Sequence, residues 1–309
     1  MTTTIALYGA PPSDAIDVPE GATQFSPLMP GASALEQQAE GSLDGLTMLA
    51  PPGTLERRYA IALALRALKV GASFAILAPK DRGGARLRKE LQAFGCAFEE
   101  TARAHHRICA GLRPANLTGI DDALAQGGPR LIDDLGLWSQ PGVFSFDRLD
   151  PGTAMLIEHL PPLRGRGADF GCGIGILAHA VLTSDAVSEI VLVDIDRRAI
   201  ACAQHNVADP RARFLWADLR GAAPGAEAGA ELADLDFVVM NAPFHDAGTE
   251  DRKLALSFVQ AAAQRLGKGG VCHMVANRHL PYEAILTPTF KRAALVIETG
   301  GYKIYEAHK

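Results

Sequence analysis

The sequence predicts an α/β protein of two domains, the second built on a mostly parallel sheet that a C-terminal antiparallel hairpin closes. Three observations carry this expectation. Beyond residue 150, apolar strand-like runs alternate with helical stretches, the pattern of a parallel sheet with crossover helices. A glycine-rich turn, Gly171 to Gly175, follows the first of those strands, and an acid, Asp194, ends the next one. The stretch AQGGPR, residues 125 to 130, breaks the composition and places a boundary near residue 130, giving domains 1–130 and 131–309.

In the first domain, ERRYAIALALRAL is rich in Ala and Leu and reads as a helix, followed by the strand-like SFAILAP. KDRGGARLRKELQAFG reads as a turn and an amphipathic helix stopped at Gly95, and RICAG as a further strand. This half looks α/β and carries no glycine fingerprint of a nucleotide site. The segment LIDDLGLWSQPGVFSFDRLD holds too many turn formers to be one element. A helix then covers about Pro151 to Leu160, followed by a strand ending ADFG and a helix from Ile174. After these come the strand EIVLVD, the helix DRRAIACAQHN, and the strands ARFLWAD and LDFVVMN. The helix DRKLALSFVQAAAQRLG and the strand GVCHMVAN complete the alternation. AALVIETGGYKIYEA reads as two strands around a Gly-Gly turn.

A chain of 309 residues with 48% apolar and 21% charged residues has the makeup of a folded protein with substantial cores. The net charge of -5 argues against an overall electrostatic grip on nucleic acid, although a local basic face can sit inside such a total. One candidate spans residues 81–113, where Arg82, Arg86, Arg88, Lys89, Arg103, Arg107 and Arg113 outnumber Asp81, Glu90, Glu99 and Glu100. That segment could position phosphates or be an ordinary solvated face. The cysteines form no CxxC pair, so neither a zinc site nor a disulfide framework is expected. No apolar run is long enough to span a bilayer and the N-terminus does not read as a signal peptide, so a cytoplasmic protein without a membrane role is expected.

The chemistry gathers at the strand ends. Glycines in DFGCGIGILA permit a tight turn and let backbone N–H groups approach a ligand, or simply let strand and helix pack closely. Asp194 lies about 20 residues on, where a carboxylate can accept both hydroxyls of a ribose. The turn has G-x-G-x-G rather than the dinucleotide G-x-G-x-x-G, and Asp169 at its start would repel a pyrophosphate but could hold an ammonium group. The pattern favours a ligand that joins ribose to an amine, as S-adenosylmethionine does. Asp218 in FLWADLR could accept from an adenine amino group or merely cap a turn. VVMNAPFHD, residues 238–246, could owe its Asn and Pro to turn chemistry alone.

DFGCGIG, VDID, WADLR and NAPFH, in that order and spacing, resemble class I S-adenosylmethionine-dependent methyltransferases that act on amino nitrogens. More narrowly, PGVFSFDRLDPGT and VANRHLPYE resemble the ribosomal small-subunit RNA guanine-N2 methyltransferases, over roughly residues 139–309. The resemblance implies a Rossmann-like seven-stranded methyltransferase domain preceded by a smaller, degenerate α/β domain. It further implies cofactor contacts from Asp169, Gly171, Gly173, Gly175, Asp194, Ile195 and Asp218, with Phe144 and Thr153 walling the site. Asn241 and the Ala242 carbonyl would accept the hydrogens of an exocyclic amine, Pro243 would stiffen the turn, and Phe244 would stack on the extruded base. His245, Arg278 and Tyr282 would lie at the substrate rim. Ala242 departs from the family, whose motif has a second proline there; the carbonyl acceptor survives, the backbone is freer. The expected partner is ribosomal RNA or the small ribosomal subunit, with no metal, and the expected state is a monomer. A protein glutamine or small-molecule amine as acceptor, and a non-catalytic cofactor-binding protein, are the rivals.

Overall fold

The computed structural model describes residues 3–220, 231–242, 245–246, 249–250 and 252–309. By contact density the chain divides into two compact units, Met1–Pro129 with Gln140–Gly142, and Arg130–Ser139 with Val143–Lys309.

The first unit contains β1 (Ile5–Tyr8), β2 (Thr23–Phe25), β3 (Leu43–Leu49), α1 (Thr54–Ala67), β4 (Leu68–Pro79), α2 (Ala85–Ala93), β5 (Phe98–Arg103), β6 (His106–Leu112) and α3 (Ile120–Gly127). Its six-stranded sheet runs β2-β1-β3-β4-β6-β5, parallel up to β4 and antiparallel beyond it. Residues Ala60 to Leu65 of α1 are all buried. Such a helix has no narrow apolar stripe to announce it, and Ala and Leu propensity is what marks it in the sequence. The strands β1, β2, β3 and β5 lie outside the elements predicted for this half. They are short or rich in Gly, Thr and Glu, and cross-strand pairing rather than pattern makes them strands.

The basic segment is partly neutralised. Arg113 is buried, donating to the carbonyl oxygens of Pro114 (2.7 Å) and Ala115 (3.0 Å), while Arg88 and Arg107 share Glu100. Arg86, Lys89 and Arg103 remain exposed.

The second unit contains β7 (Arg130–Ile132), β8 (Leu137–Ser139), α4 (Pro151–His159), β9 (Gly165–Phe170), α5 (Ile176–Leu182), β10 (Val187–Asp194), α6 (Arg197–Asn206), β11 (Ala212–Trp216) and β12 (Leu235–Asn241). A two-residue ladder of β13 (His245–Asp246) and β14 (Thr249–Glu250) follows, then α7 (Arg252–Arg265), β15 (Leu266–Asn277), α8 (Glu283–Thr289), β16 (Arg292–Thr299) and β17 (Tyr302–His308). The main sheet runs β11-β10-β9-β12-β15-β17-β16, with β17 antiparallel to both its neighbours. The predicted seven-stranded, mostly parallel sheet with a closing hairpin is therefore what forms. Residues of β12 alternate between two cores: Val238 and Met240 face the cluster containing α7 and α8 residues, whereas Phe237 and Val239 face the cluster containing α4, α5 and α6 residues. Burial on both faces explains why these strands read as continuous apolar runs. α8 falls where the sequence reading assigns no element, because Pro281 stands just before it and Pro288 lies within its last turn.

Chain order turns back at β9: the chain steps outward through β10 to β11, then returns to lay β12 on the other side of β9. Such a switch point opens a crevice at the strand C-terminal ends. The first unit repeats the second's strand order with the β11 position missing, and it has no described helix between β1 and β2 to match α5. Among the described residues, no helix is long and apolar enough to cross a membrane.

Candidate active site

The turn after β9 is built backbone to backbone. Gly171 and Cys172 donate to the Val193 carbonyl at 2.8 and 3.0 Å, and Gly175 closes the turn onto the Cys172 carbonyl at 2.9 Å. Gly173 has φ of 53°, and a Cβ there would meet nothing within 4 Å, so its backbone borders open space. Gly175 has φ of 90°, and a Cβ would approach Val207 Cγ2 at 2.8 Å, so this glycine serves close packing against the end of α6. Close strand-helix packing is therefore what Gly175 displays, while Gly173 leaves open space beside its backbone and gives its own N–H to Asp194.

Asp194 ends β10 and is held by that turn: Oδ2 accepts from Gly173 N at 2.9 Å and Oδ1 from Asp196 N at 2.8 Å. Burial pushes its carboxyl up to about 6, against the lowering effect of these N–H groups. Asp169, in β9, is fully buried, and neither carboxyl oxygen has a hydrogen-bond partner among the described residues. Burial first, and the charge of Asp194 second, push it up to about 8. A buried carboxyl without a partner is costly, and it is the kind of group that a ligand's ammonium would satisfy.

Asn241 is the last residue of β12. Its Nδ2 donates to Asp150 Oδ1 at 2.7 Å and to Thr153 Oγ1 at 2.9 Å. Asp150 is also the N-cap of α4, the same Oδ1 accepting from Thr153 N at 2.9 Å, with Pro151 at the first helical position. Ala242 is buried and donates its N–H to the Val275 carbonyl at 3.1 Å. Phe144, Asp150, Thr153, Gly171, Gly173 and Asn241 line one cleft together with Ser145, Cys172, Ile174, Ile176 and Leu177.

The remaining predicted residues are placed otherwise. Ile195 contributes its carbonyl to Trp216 Nε1 at 2.8 Å, and the Arg197 guanidinium lies 5.7 Å from the centre of the Trp216 ring. The Asp218 carboxylate is taken up by Arg220, accepting from its backbone N at 2.8 Å and from Nη2 at 2.9 Å, so the turn-capping alternative is the one the geometry displays. Arg278 pairs with Glu298 of β16 at 2.7 Å rather than with anything lining the cleft. Tyr282, expected at the substrate rim, is 1% exposed and packs beside Tyr305, because the start of α8 turns it into the core. Pro243 and Phe244 lie outside the described residues, as does the side chain of His245. Asp150 escaped the sequence reading, although an acid directly before Pro-Gly-Thr is a helix-cap signal that could have found it. No group of His, Cys, Asp or Glu among the described residues could hold a metal ion.

Residues 134–306 match the model of the methyltransferase small domain, more than half of the chain and all of the cleft just described. The chain belongs to the methyltransferase small-domain family. Among curated members, the ribosomal RNA small subunit methyltransferase C of Shewanella loihica is 36% identical over 184 residues, covering 57% of this chain and 50% of that protein. Its counterpart in Shewanella sediminis is 38% identical over 164 residues, 53% of this chain and 46% of the relative. The chain thus matches these methyltransferases over about half of their length. A solved structure, the T. thermophilus 16S rRNA N2 G1207 methyltransferase in complex with AdoMet and guanosine, superposes with a TM-score of 0.77 and covers 100% of this chain and 89% of that one. At 24% identity, that likeness shows a shared fold.

Proposed function

We propose that the chain transfers a methyl group from S-adenosylmethionine to the exocyclic N2 of a guanine in small-subunit ribosomal RNA, as a monomeric cytoplasmic enzyme. The observation that carries this reading is the cleft at the β9–β12 switch, where Gly173, whose N–H Asp194 accepts, and the Asn241 side chain come together. The names of the Shewanella relatives, and the guanosine in the T. thermophilus complex, support the choice of acceptor.

The residues present fit the cofactor. Asp169 is a buried carboxyl without a hydrogen-bond partner among the described residues and suits an ammonium, Asp194 offers carboxylate oxygens to vicinal hydroxyls, and Gly173 leaves room beside its backbone. Phe144, 67% exposed, supplies an apolar wall. When bound, S-adenosylmethionine supplies an electrophilic methyl group on cationic sulfur, and the sulfur keeps the electron pair of the broken C–S bond. The guanine amine is a poor nucleophile because its lone pair is delocalised into the ring. Asn241 Oδ1 and the Ala242 carbonyl accept its two hydrogens, aim its lone pair, and stabilise the positive charge that grows on nitrogen as the N–C bond forms. The extra proton then leaves to water, so no dedicated base is required. Pro243 and Phe244, outside the described residues, are the residues proposed to stiffen the lip and to stack on the base.

The first unit is read as a non-catalytic duplicate. Its β3 ends at Leu49 where β12 ends at Asn241, each followed by Ala and Pro, and Pro11 occupies the place of Gly173 in the turn after β1, removing the N–H that Asp194 receives. Its exposed Arg86, Lys89 and Arg103 would position RNA.

The test is transfer of labelled methyl groups to small ribosomal subunits from cells lacking the gene, followed by separation of RNA and protein. Label in guanine N2 is expected. Asn241→Ala should abolish transfer and leave cofactor binding near normal, whereas unchanged turnover would remove the role given to Asn241. Label confined to protein would replace the RNA acceptor with a glutamine amide.

A further inference from the structure

We infer that Asp150 sets the orientation of the Asn241 amide, so that its oxygen rather than its nitrogen faces the acceptor amine. The consequence for catalysis rests on the methyl-transfer reading above; the cause is hydrogen-bond geometry alone. A primary amide fits its site almost equally well in either of two orientations half a turn apart, and only the second is useless here, because it sets NH₂ against the NH₂ of the acceptor.

Among the described residues, two groups hydrogen-bond the amide nitrogen. The Thr153 hydroxyl, 2.9 Å from Nδ2, can donate or accept and so tolerates both orientations. Asp150 does not. Its Oδ1 already accepts the backbone N–H of Thr153 at 2.9 Å, which fixes that atom as an acceptor, and the only end of Asn241 that an acceptor at 2.7 Å can take is the amide nitrogen. The cap of α4 thereby dictates the amide of a residue 91 positions away on β12. Donation from Nδ2 to a carboxylate also polarises the amide and strengthens its oxygen as an acceptor. Asp150 is thus a positioning residue with two separable parts, an acceptor atom at a fixed place and a negative charge.

Three variants separate the parts. In Asp150→Asn the Thr153 N–H still selects the side-chain oxygen, so orientation survives without the charge. Asp150→Ser keeps a capping oxygen for α4 but is one bond shorter and cannot reach Asn241, so a purely structural role would leave it active. Thr153→Val leaves the Asp150 acceptor in place. Relative to wild type on small-subunit RNA, Asp150→Ser should lower kcat on the order of 100-fold with KM for the cofactor changed by less than about threefold. Asp150→Asn should lose no more than about tenfold, and Thr153→Val no more than Asp150→Asn. A readout independent of turnover is hydrogen exchange of the Asn241 side-chain amide, assigned by its disappearance in Asn241→Ser. Exchange should be slow in wild type and Asp150→Asn and fast in Asp150→Ser. An Asp150→Ser enzyme with near-wild-type kcat, or with the amide still protected, overturns the inference. Should wild type itself methylate no RNA, the functional reading fails, and the exchange comparison still decides the orientation.

Discussion

Asp169 and Asn241 show how differently two polar residues at neighbouring strand ends are held. Among the described residues, Asn241 is tied by two hydrogen bonds from one nitrogen, whereas Asp169 is buried with none. A carboxyl raised from 3.8 to about 8 keeps its proton in the folded state where the unfolded chain has lost it. Ligand-free stability should therefore fall as pH rises from about 4 toward about 8. Asp169→Asn should remove that loss, so its melting temperature in the absence of cofactor should exceed that of wild type at pH 7.5, as calorimetry would show. The same exchange should weaken cofactor binding. Wild-type affinity for S-adenosylhomocysteine should rise by up to about tenfold per pH unit between pH 6 and pH 7, as binding expels the proton from Asp169, and titration of Asp169→Asn should leave only the shallower rise that Asp194, at about 6, contributes. The acid itself was legible because it precedes a glycine turn. Its isolation was not, since a missing partner is a property of everything packed around it.

Elements are joined by a few close approaches that the sequence does not advertise. Gly175 separates α5 from Val207 at the end of α6, so Gly175→Ala combines a positive φ with a 2.8 Å contact and should destabilise the second unit by about 1–3 kcal/mol in denaturant unfolding. In the first unit, Arg57 is fully buried and forms a two-pronged pair with Glu90, both bonds at 2.7 Å, while its other nitrogen donates to the Pro52 carbonyl at 2.7 Å. Arg57→Ala would leave Glu90 uncompensated and should cost about 3–5 kcal/mol. Inside the helical run ERRYAIALALRAL nothing separates the buried Arg57 from its half-buried neighbour Arg58. The helices and long strands of the second unit were legible from alternation, because each buries a continuous apolar face. α8 and the short strands of the first unit were not, since partners rather than propensity hold them.

At the scale of the molecule, a net charge of -5 conceals where cations are free. Of the basic run at residues 81–113, Arg113 is spent inside on backbone carbonyls and Glu100 takes two more arginines. The exposed Arg86, Lys89 and Arg103 are the ones whose loss should matter for RNA. Replacing all three by Gln should reduce the steepness of the salt dependence of RNA binding, on a log–log plot, by roughly 2, as measured by filter binding across salt concentrations. An unchanged slope would remove the first unit from RNA contact. The repeated strand order also belongs to this scale: Leu49 and Asn241 correspond only once both sheets are laid out, because the loops between strands differ in length and content.

By itself the sequence determined the α/β class, the parallel sheet with its terminal hairpin, and the strand-end motifs that mark the methyltransferase small-domain family. These are local properties: periodicity, turn chemistry and the spacing of glycines and acids along one strand-turn-helix unit. Only the tertiary structure decided that Asp169 has no hydrogen-bond partner among the described residues, that Tyr282 lies inside, and that Asn241 donates to the helix cap at Asp150. Each of these depends on which atoms meet across long stretches of chain, and a hydrogen bond is satisfied by position in space, whatever its place in the sequence.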